Sequence, residues 1–151
     1  MKQEKSKWCW AATTRAIAYY VLGSAPTQCA IVAGTTGLST CPDVAAYYSD
    51  EIKSLNVAGI STTARDRSIP WTDVKIDIDQ NQPIKASIQW RGKSSGHDFV
   101  IYGYYEDGVY KNVSYMDPWP TSAMWNWMLY SDFVSNESFY WKWTFMNNTR
   151  R

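Results

Sequence analysis

Three residues of this sequence have the types and spacing needed for acyl transfer: Cys9, His97 and Asp117. Cys9 opens a run without Gly or Pro until Gly23, in which Ala12, Ala16, Ile17, Tyr20 and Val21 recur at the spacing of one buried helical face. A thiol at a helix start meets unpaired backbone N–H groups and the positive end of the dipole, which favour its nucleophilic anion. The competing reading is a buried structural cysteine packed as a small hydrophobe. His97 is the single histidine and follows Gly96 where a strand begins, so its ring can emerge at the end of a sheet. Asp117 ends the partner strand of the same hairpin, whose tip is Asp107-Gly108, and the return brings position 117 near position 97. A carboxylate there would accept the imidazole N–H, fix its tautomer and stabilise the imidazolium. Nucleophile, base and orienting acid are the parts of nucleophilic catalysis.

Other chemistries find little support. One His with scattered Cys, and no CxxC, HxxxH or HExxH spacing, is poor material for a metal site. GTTG lacks the spacing and the following GK[ST] of a phosphate loop, so no cofactor is implied. A net charge of +1 gives no basis for nucleic acid or an anionic membrane surface as a partner. No apolar stretch approaches the length of a bilayer span. The 9 Trp and 11 Tyr exclude disorder and suggest mainly core packing, with a groove for extended peptides or sugars as the alternative.

The 3 cysteines pose a question of pairing. A bridge between Cys29 and Cys41 would close a short Gly/Thr/Ser-rich loop, worth about 3 kcal/mol in the loop-entropy picture, and leave Cys9 free. That arrangement suits an exported protein, secreted or periplasmic, whose signal or pro-segment lies outside these residues. Three reduced thiols in a cytosolic protein fit the sequence equally well.

The elements that must position these groups follow from patterning. After the Cys9 helix and the Gly23–Pro26 turn comes a short helix around Gln28–Val32 and a loop over Ala33–Cys41. Pro42 suits a first helical position and opens an amphipathic helix to about Leu55. Gly59–Ser68 is polar and irregular, and TDVKIDIDQN is assigned as a short helix although its alternation also fits a strand. Beyond Pro83, Ile84, Ala86 and Ile88 alternate with Lys85, Ser87 and Gln89 as a strand. Gly92–Gly96 is a flexible loop, DFVIYGYYE and VYKNVSYMD pair as a hairpin, residues 125–134 are mixed, and SFYWKWTFM is a last strand. Segregated helices and strands indicate α+β, with a helical part over about 1–80 and a sheet part over about 81–151 of one domain.

With these residues in hand, the chain resembles the papain-like cysteine peptidases, in particular the compact bacterial branch with a Q-x5-C-W-A-A start that includes secreted and effector proteases. Cys9-Trp10-Ala11 matches the nucleophile motif, Gly96-His97 with FVIYGY the histidine strand, and Asp117-Pro118-Trp119 the third-residue segment. The resemblance implies a papain-like fold and a cysteine endopeptidase with a Cys9-His97-Asp117 triad and a thioester acyl-enzyme. It further implies that Gln3, six positions before Cys9, joins the Cys9 N–H in an oxyanion hole, and that Trp119 shields the His–acid bond. Trp10, Gln89, Trp90 and Gly96 are expected to shield the site or line the substrate cleft. The implied partners are a peptide or protein substrate and an inhibitor or propeptide, and the enzyme is expected to act as a monomer. Asp117 stands where the larger papain relatives have Asn, most of their disulfides and long inserts are missing, and Trp8 replaces a small residue. Two other functions compete: a catalytically silent peptide- or glycan-binding module, and a papain-like acyl transferase or cyclase.

Overall fold

The computed structural model describes residues 1–151. Its elements run α1 (Cys9–Leu22), α2 (Gln28–Thr36), α3 (Tyr48–Val57), β1 (Ile60–Arg65), α4 (Trp71–Asp79), β2 (Ile84–Trp90), β3 (Gly96–Glu106), β4 (Lys111–Met116), β5 (Trp125–Leu129), α5 (Tyr130–Val134) and β6 (Phe139–Arg150). All strand pairings are antiparallel, in the order β1-β6-β2-β3-β4-β5. The fold is α+β, as expected.

Period-2 alternation sends successive strand residues to opposite faces, and here both faces are covered. Ile84, Ala86, Ile88, Phe99 and Ile101 pack with Trp71 and Val74 of α4 and Phe133 of α5. Val100, Met116 and Phe145 pack on the other face, against Ala11, Ile17 and Ala18 of α1 and residues of α2 and α3. Lys85 and Ser87 also take this second face, where they are buried rather than turned to water. In an antiparallel strand, polar residues at alternate positions usually mark the wet side. Their burial creates the polar wall described below.

The helices over TDVKIDIDQN and after Cys9 form as expected, and Gly23 ends the latter with the left-handed φ of 78° that favours glycine. Four boundaries differ. Thr27 caps α2, which continues past Val32 to Thr36. Residues 42–47 are not helical, and α3 starts only at Tyr48, whose preceding N–H is taken by Asp50. The reason lies in competition for carbonyls: Pro42 O and Val44 O accept the indole N–H groups of Trp8 and Trp10, both at 2.9 Å, instead of opening a helix. The region expected to be irregular contains β1, which pairs with the far end of β6 and draws that strand out to Arg150. Residues 125–134 resolve into β5 and α5. The sheet therefore takes one strand from the first 80 residues, and α5 comes from the second part.

Candidate active site

Cys9 is the first residue of α1 and the free cysteine of the chain, partly open to solvent. Its backbone N–H has no acceptor within the protein, as position N1 of a helix dictates. The remaining two cysteines, Cys29 and Cys41, are joined in a disulfide. Cys9, His97 and Asp117 all border one cleft of about 1180 Å³, between the first turn of α1 and the ends of β2 and β3.

The His97 ring is oriented by its neighbours. Its Nε2–H donates to Asp117 Oδ1 at 2.7 Å, which leaves Nδ1 as the nitrogen able to accept a proton. The register Val100↔Met116 carries Asp117 to this end of the hairpin. Trp90 stacks on the imidazole with centroids 6.2 Å apart, while Phe99 and Trp119 meet it edge-on at 5.1 and 6.3 Å. Gly96 is required here, because a Cβ at that position would collide with the carbonyl oxygen of Ile88.

Asp117 accepts a second hydrogen bond from the Trp119 N–H at 2.9 Å. Burial works to raise its pKa, but the hydrogen bonds from His97 and Trp119 outweigh it and hold the carboxyl below its usual range. The linkage sign follows. A depressed folded pKa contributes stability above the unfolded value, near the ordinary 3.8 of Asp, and loses it as pH falls through the folded value. Asp117→Asn should therefore lose less stability than the wild type on acidification across that window, measured as melting temperature against pH.

The thiol that the helix start is expected to lower meets an opposing environment. Burial pushes the Cys9 thiol well above its ordinary range, and the Asp98 and Glu51 carboxyls push the same way. The Asp98 backbone N–H directed at the sulfur and the Lys85 ammonium pull part of this back. The helix end is a partial charge, and it does not outweigh desolvation and two nearby carboxyls.

Gln3 is 4% exposed and so not a frayed end, but it does not line the cleft. Its Nε2 donates to the carbonyls of Lys5 and Ser6, both at 2.9 Å, and its backbone N–H bonds to Pro118 O. Both amide hydrogens are thus occupied, and donation to an oxyanion would need one of them released. Gln89 borders the cleft, yet its amide is turned to Lys93 O and Ser95 O, where it fixes the loop before His97. Trp10 and Trp90 border the cleft, and Trp119 stands at its rim, 41% exposed.

Sequence reasoning missed two contributors. One is the non-helical wall from Val44 to Tyr47, tied to the turn before and into α1 by the two indole bonds and by Asp43, which accepts from Ser6 Oγ and the Lys7 N–H. The unexpected Trp8 is an anchor of this wall. The other is the buried group Lys85, Glu51 and Asp98 behind Cys9. The polar positions of β2 carried a signal for it, but not for their partners on other elements.

The Cys29–Cys41 bridge ties the start of this wall to α2. Reduction, or a Cys29→Ala/Cys41→Ala double variant, should cost about 3 kcal/mol in denaturant titration. It should also raise KM more than it lowers kcat, because the released segment borders the substrate and bears no reacting group.

Among curated proteins, no match to this chain is found. A family model described as papain-like cysteine protease AvrRpt2 matches residues 1–135, nearly the whole chain and every cleft residue up to Ser122. The geometry and that match meet in one conclusion: the chain belongs to the papain-like cysteine protease AvrRpt2 family, and it is a cysteine peptidase, a hydrolase acting on protein.

Proposed function

We propose that the protein is an endopeptidase working through a Cys9-His97-Asp117 triad and a thioester acyl-enzyme. The observation that carries this reading is the 2.7 Å bond from His97 Nε2 to Asp117, which leaves Nδ1 as the ring nitrogen not engaged by the acid, at the cleft that also holds the Cys9 sulfur. With burial raising the Cys9 thiol, its proton passes to Nδ1 as the sulfur attacks the scissile carbonyl carbon. The imidazolium, stabilised by Asp117, then gives its proton to the leaving amine. The acyl group stays on sulfur as a thioester until water, deprotonated by His97, releases it. The Cys9 N–H, which has no partner in the chain, supplies one donor to the oxyanion. Gln3 is the second donor if substrate draws its amide away from Lys5 and Ser6.

The cleft, of about 1180 Å³, is lined by Trp10, Trp90 and Trp143, which suits a peptide chain rather than a small molecule. Residues 1–151 act as one domain, a reading supported by β1 joining the same sheet as β2 to β6. The disulfide is consistent with export to an oxidising compartment, secreted or periplasmic. No helix is long and apolar enough to cross a membrane. The enzyme is proposed to act as a monomer.

The test is digestion of a peptide library by wild type and Cys9→Ala, read by mass spectrometry. Cleavage products with the wild type alone, and a mass adduct on Cys9 when the reaction is trapped in acid, support the reading. Cleavage that survives Cys9→Ala, or peptide ligation exceeding hydrolysis in the presence of amines, overturns it.

A further inference from the structure

The wall behind Cys9 holds more charge than the proposed triad uses. Lys85 of β2 is fully buried and spends all three ammonium hydrogens, on Trp10 O at 3.1 Å, Thr14 Oγ1 at 2.7 Å and Glu51 Oε2 at 2.6 Å. Glu51 of α3 and Asp98 of β3 are 2% and 3% exposed, and their carboxyls lie within hydrogen-bonding reach of one another. Asp98 Oδ1 takes the Ser87 hydroxyl at 2.5 Å, but Oδ2 is buried and has no donor. Asp98 also aims its backbone N–H at the Cys9 sulfur and directly follows His97 in the chain. The groups facing this wall are Cys9 from α1, Glu51 from α3, Lys85 from β2, and His97 and Asp98 from β3. From β6 comes Lys142, whose ammonium stands over the Trp143 ring at the cleft rim.

One buried cation facing two buried carboxylates would leave a net negative charge in contact with the sulfur, a costly arrangement in a poorly solvated site. One added proton removes both the excess charge and the orphaned oxygen. We propose that Glu51 and Asp98 share a single proton, and that this proton keeps the wall of Lys85, Glu51 and Asp98 electrically neutral so that the Cys9 sulfur can carry the negative charge of the attacking state. Glu51 and Asp98 are positioning residues: they touch neither substrate nor reacting carbon and act through the sulfur. The proton belongs to the pair and not to either carboxyl. Burial and the Asp98 charge both raise Glu51. Loss of that proton turns the wall anionic and opposes the thiolate.

The proposal rests on Cys9 being the nucleophile, yet its proton can be observed without catalysis. Infrared difference spectra of the full chain should show one protonated carboxylic acid at neutral pH. The band should vanish in Glu51→Gln and equally in Asp98→Asn, since each amide donates a hydrogen to the remaining carboxylate and leaves Lys85 a single counter-charge. Alkylation of Cys9 by iodoacetamide should be unchanged by Glu51→Gln near neutrality. In alkaline solution the variant should react roughly tenfold faster than the wild type, the effect of about one pK unit of coupling. A purely structural role would lower the melting temperature of both variants but leave the alkylation profile unmoved. Absence of the carboxylic acid band from the wild type, its survival in both variants, or identical alkaline profiles would overturn the proposal. Loss of the triad reading would appear separately, as turnover by Cys9→Ala with the band intact.

Discussion

Cys9→Ala is expected to lower kcat/KM on a peptide substrate by on the order of 10⁴-fold or more, with circular dichroism and melting temperature close to wild type. The reasoning is that no other thiol or serine couples to His97: the remaining two cysteines are bridged, and the one imidazole donates to Asp117. His97→Ala should cost a similar factor, since the thiol is pushed up by burial and needs a base to lose its proton. The two losses should not add, because each substitution disables the same proton transfer. A double variant as active as either single one, measured by steady-state kinetics, meets this expectation. A loss in the double variant equal to the product of the single losses would mean that Cys9 and His97 act independently, and the triad would have to be abandoned. The fold should tolerate both changes, since neither residue belongs to the two apolar clusters that join helices to sheet.

Lys85→Met should carry the largest penalty in stability, about 3–5 kcal/mol in urea titration with little change in the slope. Methionine preserves the stem but withdraws three hydrogens from Trp10 O, Thr14 Oγ1 and Glu51 Oε2, all in the seam between α1, α3 and β2. The carboxyls of Glu51 and Asp98 are then left without a cation and must bind further protons or stay uncompensated. The exposed pair Lys75–Glu106 provides the contrast. Its side chains are 30% and 33% exposed at a separation of 2.9 Å, and Lys75→Met should change stability by less than about 1 kcal/mol. Equal effects of the two substitutions would show that water reaches the wall and that the burial argument is mistaken.

The difference between these two lysines was invisible along the chain, where each stands between two apolar residues in an ordinary amphipathic pattern. Period-2 alternation in β2 revealed a strand and two faces, but not that α1 and α3 would close over the face bearing Lys85 and Ser87. The same limit explains residues 42–47. Pro42 is a sound helix opener by local rules, and only the indoles of Trp8 and Trp10, 34 residues away, claim the carbonyls and keep the segment from being helical. Strand β1 is likewise ordered by β6 from the opposite end of the chain, so its weak local pattern gave no warning.

The amino-acid order by itself determined the class of fold, the free cysteine at the start of a helix, and the meeting of the imidazole with its acid. Each of those depends on short-range rules: a helical period, a hairpin tip that counts residues back to a partner, and a lone histidine with no competitor. Tertiary structure alone decided the burial around the sulfur, the engagement of the Gln3 amide, and the buried cation with its two carboxyls. Those properties depend on which elements exclude water together, and desolvation is a property of the assembled volume that no single segment carries.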